Sequence, residues 1–321
     1  MLFNFKKFLT IILVIQAGLA LSQSFPNKPI RLIIPSAAGG GIDQMARILA
    51  VGLSEKIGQP VITENRGGAG GSLAMDYGAH AQADGYTLTL VYQSMGANPF
   101  IYSKLPFDTI KDFAPISLLT YYQLVLIANN SLPAQNISDL ITLAKNKPEF
   151  ITFGSSGTGG ASHLAFELLM NRTGTRFLHV PYKGNAPAMT DLIGGQIMTL
   201  VDAVSSVAPA IRSGKIKALG VTSTRRSNLL PDIQTISETI PGYESIGWYG
   251  IVSPAGVPKD RIIYLNKVIN SVLNEPAIKN RLIDSGNEIV GSSPDEFADF
   301  IRAEMRKYES LVRDAGIKAT Q

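Results

Sequence analysis

Three times in this chain a short aliphatic run stops at a cluster of glycines and gives way to a helical repeat. The first run is Ile30 to Ile34, ended by Pro35. Ala37, Ala38, Gly39, Gly40 and Gly41 follow, and from about Asp43 the residues Met45, Leu49, Leu53 and Ile57 recur at four-residue spacing up to Gly58. An apolar run too short for a helix, a permissive turn and an amphipathic stripe make one strand, turn and helix unit. The order returns at Val61 to Thr63 with Gly67 to Gly71 and a helix to Ala83, and at Ile151 to Phe153 with Gly154 to Gly160. Runs at Thr87 to Tyr92, Phe177 to Val180, Ile197 to Val201 and Ala218 to Val221 extend the alternation. Strands and helices that alternate bury their apolar faces by laying helices over mainly parallel sheets, so the fold class is α/β.

The units fall into two series with no low-complexity tether between them, which predicts two domains joined by crossing strands. We place the crossings near Leu124 to Ala128 and Tyr249 to Ser253, giving one domain from 23–123 with 249–321 and another from 124–248. The carboxy-terminal part is helical. Ile262, Leu265, Ile269, Val272 and Leu273 form one stripe, and Ser293-Pro294-Asp295-Glu296 reads as a capped helix start.

Composition closes several routes. There are no cysteines, which excludes disulfides, thiolate catalysis and a lipid-bearing cysteine. The three histidines, His80, His163 and His179, are not spaced as a metal-binding pair, so neither a metal nor another cofactor is expected. Residues 1–22 carry Lys6 and Lys7, an apolar run from Phe8 to Ala20, and small residues before Gln23. The run falls short of the roughly 20 residues a spanning helix needs, so it reads as a cleaved secretory signal and the mature chain as exported. The formal charge of +4 includes both lysines, and the remaining basic residues are scattered, which argues against nucleic acid as a partner.

The glycine turns are the candidate chemistry. Ser36, Ala37, Gly39, Gly40 and Gly41 lie between a strand end and a helix start, where unpaired N–H groups and the helix dipole hold an anion without a basic side chain. Glycine there also serves a tight turn alone. Asp43 stands at the same helix start, as a cap or a ligand group, and Ser94 lies just past the strand run Thr87 to Tyr92. The second turn brings Ser155, Ser156, Gly157, Gly160, Ala161, Ser162 and His163. It misses the dinucleotide fingerprint because Ser162 stands where the third glycine belongs, and misses the hydrolase elbow because Ser156, with Gly154 two residues before it, has Thr158 and not glycine two residues after. An exported serine hydrolase using the Ser155 to His163 turn is therefore the weaker alternative, with no carboxylate partner evident for His163. A third turn offers Tyr182, Lys183 and Gly184, with Lys183 either lining a cleft or solvated. Asp202 follows the strand Ile197 to Val201, where it either accepts a ligand amino group or caps the next helix. Two hydroxyl-rich turns at strand ends, one per half, favour a binding cleft.

Ordered motifs carry a resemblance across the mature chain: Phe25-Pro26-Asn27-Lys28-Pro29-Ile30-Arg31, Glu64-Asn65-Arg66-Gly67-Gly68-Ala69-Gly70-Gly71, Asp84-Gly85-Tyr86-Thr87-Leu88 and Asp112-Phe113-Ala114-Pro115, then Phe153-Gly154-Ser155-Ser156-Gly157, His179-Val180-Pro181-Tyr182-Lys183-Gly184 and Ser253-Pro254-Ala255-Gly256. The chain resembles Bug-type receptors, the extracytoplasmic solute-binding proteins of tripartite tricarboxylate transporters. That resemblance implies a two-domain periplasmic binding protein fold of type II, a monomer closing around a small carboxylate or amino-acid-like solute in the periplasm. It implies that backbone amides, small hydroxyls and water from the turns at Ser36 to Gly41 and Ser155 to His163 hold the carboxylate. The partners implied are the transporter's membrane subunits, or a sensory pathway instead. Ser36 stands where the family often has an aromatic residue and Ile42 where proline or threonine is common, so the solute's identity is left open.

Overall fold

The protein is described from a computed structural model over residues 25–317, and the expected signal segment, 1–22, lies outside the described residues. Strand β1 (Ile30–Ile34) runs parallel between β2 (Val61–Asn65) and β3 (Thr87–Val91). Its Ile30, Leu32, Ile33 and Ile34 are all buried, which is why the run does not alternate with polar residues. Helix α1 (Gly41–Ile57) packs the expected Met45, Leu49 and Leu53 inward and ends at Gly58, whose φ of 71° is the left-handed stop that glycine accepts readily. Helices α2 (Ser72–Ala79), four residues shorter than expected, and α3 (Ser94–Ile101) follow.

The 16-residue strand β4 (Phe113–Ala128) organises the molecule. Up to Gln123, paired opposite Ile246, it runs antiparallel to β9 (Ile246–Pro254); from Leu124, paired opposite Ala203, it runs antiparallel to β7 (Thr199–Ala203) and, from Val125, also to β8 (Lys217–Val221). The path through the sheet is β2-β1-β3-β9-β4-β7-β5-β6, where β5 is Thr152–Ser155 and β6 is Leu178–Pro181; off this path, β8 and β10 (Asn287–Ile289) pair with β4. Among the described strands, parallel pairing joins β1 to β2 and β3 and β5 to β6 and β7. Every partner of β4 and β9 is antiparallel, so the sheet is mixed. β4 changes partner from β9 to β7 between Gln123 and Leu124. Ser245 N donates to Thr222 O at 2.9 Å, and the next residue, Ile246, opens β9.

Helices α4 (Ile137–Asn146), α5 (Ala161–Thr173), α6 (Asn185–Ile193) and α7 (Val204–Arg212) cover the half of the sheet built on β5 to β8. Helices α8 (Lys259–Leu273), α9 (Pro276–Asp284) and α10 (Pro294–Ala315) return to the other half. The stripe Ile262, Leu265, Ile269, Val272 and Leu273 is the buried face of α8. Gly52 on α1 lets that helix approach, since a Cβ there would stand 2.6 Å from Val272 Cγ1. Ser293 Oγ accepts from Glu296 N while the Glu296 carboxylate accepts from Ser293 N at 2.8 Å, the reciprocal cap expected from sequence.

Candidate functional site

Four helices follow strands, three of them across a short turn, with nothing but glycine or alanine at the cap: Gly40 before α1, Gly160 before α5, Gly184 before α6 and Ala203 before α7. None of these starts receives a side-chain capping bond. Elsewhere α4 is capped by Asn136 and α10 by Ser293, while α2, α3, α8 and α9 also start without a side-chain cap, so it is the convergence of these four starts and not the missing cap that sets them apart. An uncapped start leaves N–H donors open at the positive end of the helix dipole. Residues from all four starts meet on one cavity of about 50 Å³. That is several times the roughly 10–15 Å³ one ordered water needs. No lysine, arginine or histidine among the described residues lines it.

In the first turn, Ser36, Gly40 and Gly41 form cavity wall. Ala37 does not; its N–H donates to Lys183 O at 3.1 Å across the cleft. Gly39, at φ 90°, donates its N–H to Asp43 Oδ2 at 3.0 Å. Asp43 is turned away from the cavity and tied to Arg47 and to Asn65 Nδ2 as well. Burial alone would raise its carboxyl, yet the bonds from Arg47, Gly39 and Asn65 hold it below the usual carboxylate range. Asp43 therefore fixes the turn's shape.

In the second turn, Ser156 and Ala161 reach the wall, whereas Ser155, Gly157, Gly160, Ser162 and His163 stand behind it. Ser162 Oγ accepts from Ser156 N at 2.8 Å and bonds to Asn185 Oδ1 at 3.2 Å, joining the starts of α5 and α6. Ser155 is fully buried. Its Oγ accepts from Gly157 N and pairs at 2.5 Å with Nε2 of His179, not with His163. Burial, with His163 beside it, pushes His179 down to about 3, so the ring is the neutral acceptor of the serine proton. His163 does have a carboxylate partner, one turn along: its Nε2 lies 3.3 Å from Glu167 Oε1, and its Nδ1 accepts from Gly159 N. Neither residue of this serine and histidine pair faces the cavity.

The third turn contributes through its backbone. Lys183 is exposed and offers its carbonyl to Ala37, and Tyr182 Oη donates to Asp191 Oδ2 at 2.7 Å, away from the wall. Gly184, at φ 135°, places α6 so that Asn185 reaches the cavity. Asn185 Nδ2 donates to Asp202 Oδ1 at 2.7 Å, and the same oxygen accepts from Ala203 N. Asp202 is on the wall, 5% exposed, and burial pushes its carboxyl up to about 6. It does not cap α7, which starts at Val204.

Sequence reasoning missed the rest of the wall: Ile42, Leu124, Asn185, Ala203 and the phenols Tyr92, Tyr122 and Tyr249. The rings of Tyr122 and Tyr249 stack at 4.2 Å, and burial raises all three phenols, Tyr92 to about 12. Tyr122 and Tyr249 flank the crossing of β4 and β9, so their position beside the expected hinge was the available signal. Ser94 is buried under Gly71 instead, where a Cβ on that glycine would stand 3.2 Å from Ser94 Oγ.

Known proteins with the same pattern give the arrangement its context. Residues 45–317 match the tripartite tricarboxylate transporter family receptor. BugT of Bordetella pertussis is 34% identical over 313 residues, covering 96% of each chain. The periplasmic binding protein BugD superposes with a TM-score of 0.88 at 33% identity, over 92% of this chain and all of BugD. R. palustris Rpa4515, solved with adipate, superposes with a TM-score of 0.88 at 32% identity, over 92% of this chain and all of its own. With uncapped helix starts gathered on one cavity and this similarity along nearly its whole described length, the chain belongs to the tripartite tricarboxylate transporter receptor family.

Proposed function

We propose that this receptor captures a small carboxylate-bearing solute in the periplasm, between two lobes that meet at the crossings Gln123–Leu124 and Ser245–Ile246, and delivers it to the membrane subunits of its transporter. One observation carries the reading: four uncapped helix starts open onto a single cavity with no basic side chain among the described residues that line it. Such a wall takes an anion through amide dipoles. A charge-assisted hydrogen bond contributes about 1.5–3 kcal/mol, so three or four of them supply roughly the 8 kcal/mol of a micromolar complex after ordering costs. Closure then works by selection of the state in which both lobes reach the solute. The protein acts as a monomeric binding protein, with Ser36, Gly40, Gly41, Ser156, Ala161 and Asp202 in contact with solute and the other turn residues holding them in place.

Two observations support export and binding over catalysis. The start of the chain has the composition of a secretory signal, and Ser155 is sealed from the cavity. Isothermal calorimetry with mono-, di- and tricarboxylates and amino acids tests the reading. A one-to-one complex near micromolar Kd with at least one of them is expected. Silence from all of them, with folded and ligand-free protein, overturns it.

A further inference from the structure

We propose that Asp202 makes the receptor selective for solutes whose carboxylate is accompanied by a hydrogen-bond donor, an ammonium above all, and sets it against dicarboxylates of similar length. The inference rests on the receptor reading and narrows it to a solute class. Asp202 is the one carboxyl group among the described residues lining the cavity. Its Oδ1 is committed to Asn185 Nδ2 and Ala203 N, both at 2.7 Å. Its Oδ2 has no hydrogen bond among the described residues, although the side chain is 95% buried on the cavity wall. An acceptor that is buried and open to the cavity is a demand on whatever fills it.

The surroundings offer no counter-charge. From β4 and β9 the titratable groups facing Asp202 are the phenols of Tyr122 and Tyr249, and Tyr92 faces the same space from the end of β3. Burial keeps all three protonated. Helix α1 presents Gly41 and Ile42 to the cavity, α6 presents Asn185, and α7 is preceded there by Ala203; none is cationic. A buried carboxylate without a cation is stabilised when an ammonium or another donor enters beside it, and a second carboxylate in that place meets like charge unless a proton comes with it. The amide-rich starts of α1 and α5 take the solute carboxylate, and the donor turns to Asp202. The small cavity suits a compact amino acid better than a long diacid.

The test compares 2-aminobutyrate, butyrate and succinate by calorimetry at pH 7 on the unaltered chain and on Asp202→Asn. Asparagine keeps an oxygen for Asn185 and Ala203 while removing the charge. On the unaltered chain 2-aminobutyrate should bind at least about tenfold tighter than either comparator, and Asp202→Asn should remove that preference and strengthen succinate. A second measurement needs no variant. In two buffers of different ionisation enthalpy, succinate binding should take up protons and 2-aminobutyrate binding should not. Succinate binding tighter than 2-aminobutyrate without proton uptake, or a ranking that Asp202→Asn leaves unchanged, overturns this inference and leaves the receptor reading standing. No binding by these or any other carboxylate overturns both.

Discussion

The backbone N–H of Ala37 donates to the carbonyl of Lys183 at 3.1 Å, a bond between two loops that the proposed reading assigns to opposite lobes. It is part of a main-chain seam. Tyr102 Oη donates to Thr158 O at 3.1 Å across the same gap, and a Cβ on Gly70 would run into that carbonyl oxygen. A Cβ on Gly184 would stand 2.7 Å from Ser36 Oγ. Backbone meets backbone here because glycine removes the side chains that would hold the lobes apart.

Gly70→Ala should therefore favour the open receptor. Its φ of 57° costs an alanine about 1 kcal/mol, but that cost is the same open or closed, while the collision with Thr158 exists only when closed. We expect a fall in solute affinity of about tenfold or more and a larger radius of gyration by small-angle scattering at saturating solute. An unchanged affinity would mean that the seam does not limit closure.

His179 gives the fold an acid-sensitive element. The unfolded chain takes up this proton near pH 6.5 and the folded chain only near 3, because burial and His163 disfavour the charged ring. Stability from this group is complete above about 6.5 and drains as pH falls toward 3. Linkage puts the loss between pH 7 and pH 5 at about 2 kcal/mol. Urea midpoints for the unaltered chain and His179→Gln at both pH values check it. The variant should be less stable at pH 7 and should lose correspondingly less on acidification.

Much of this architecture was legible in local sequence, and the site less so. The turn at Ser36 to Gly41 and the helix start at Ser293 depend on chemistry within a few residues, so spacing and residue type sufficed to find them. Tyr122 and Tyr249 come from two strands far apart in sequence and Tyr92 from the residue just past a third, and only the antiparallel pairing of β4 and β9 brings two of them together. The Ser155 and His179 pair was hidden for the same reason: the two residues lie on neighbouring parallel strands, β5 and β6, and no pattern within either strand announces the other. Both aspartates were equally ambiguous in sequence, and environment separates them. Asp43 meets an arginine, and Asp202 meets none.

Ser293→Ala should act on stability alone. It removes the reciprocal cap at the start of α10, far in sequence from every wall residue, and an N-cap of this type contributes about 1 kcal/mol. A lower unfolding midpoint with solute affinity within about twofold is the expected pair of results in calorimetry and thermal melts. A tenfold change in affinity would show that α10 is coupled to the cleft.

Gly40 allows the amide-wall idea to be tested by filling it from within. Its φ of −81° and ψ of 171° suit any residue, and a Cβ there would have Ser36 Oγ at 3.7 Å as its nearest neighbour, so substitution brings no strain. Alanine at 40 adds bulk only. Serine adds a neutral acceptor for the open N–H groups of α1, and aspartate adds an acceptor with charge. If those amides hold the solute carboxylate, affinity should fall in the order alanine, serine, aspartate, by within about threefold, about tenfold and at least about a hundredfold, while thermal midpoints do not fall for the two capping variants. A side chain that merely occupies space would weaken binding by a similar factor in all three. The graded series, read by calorimetry beside unfolding midpoints, thus separates competition for the helix start from simple obstruction of the cavity.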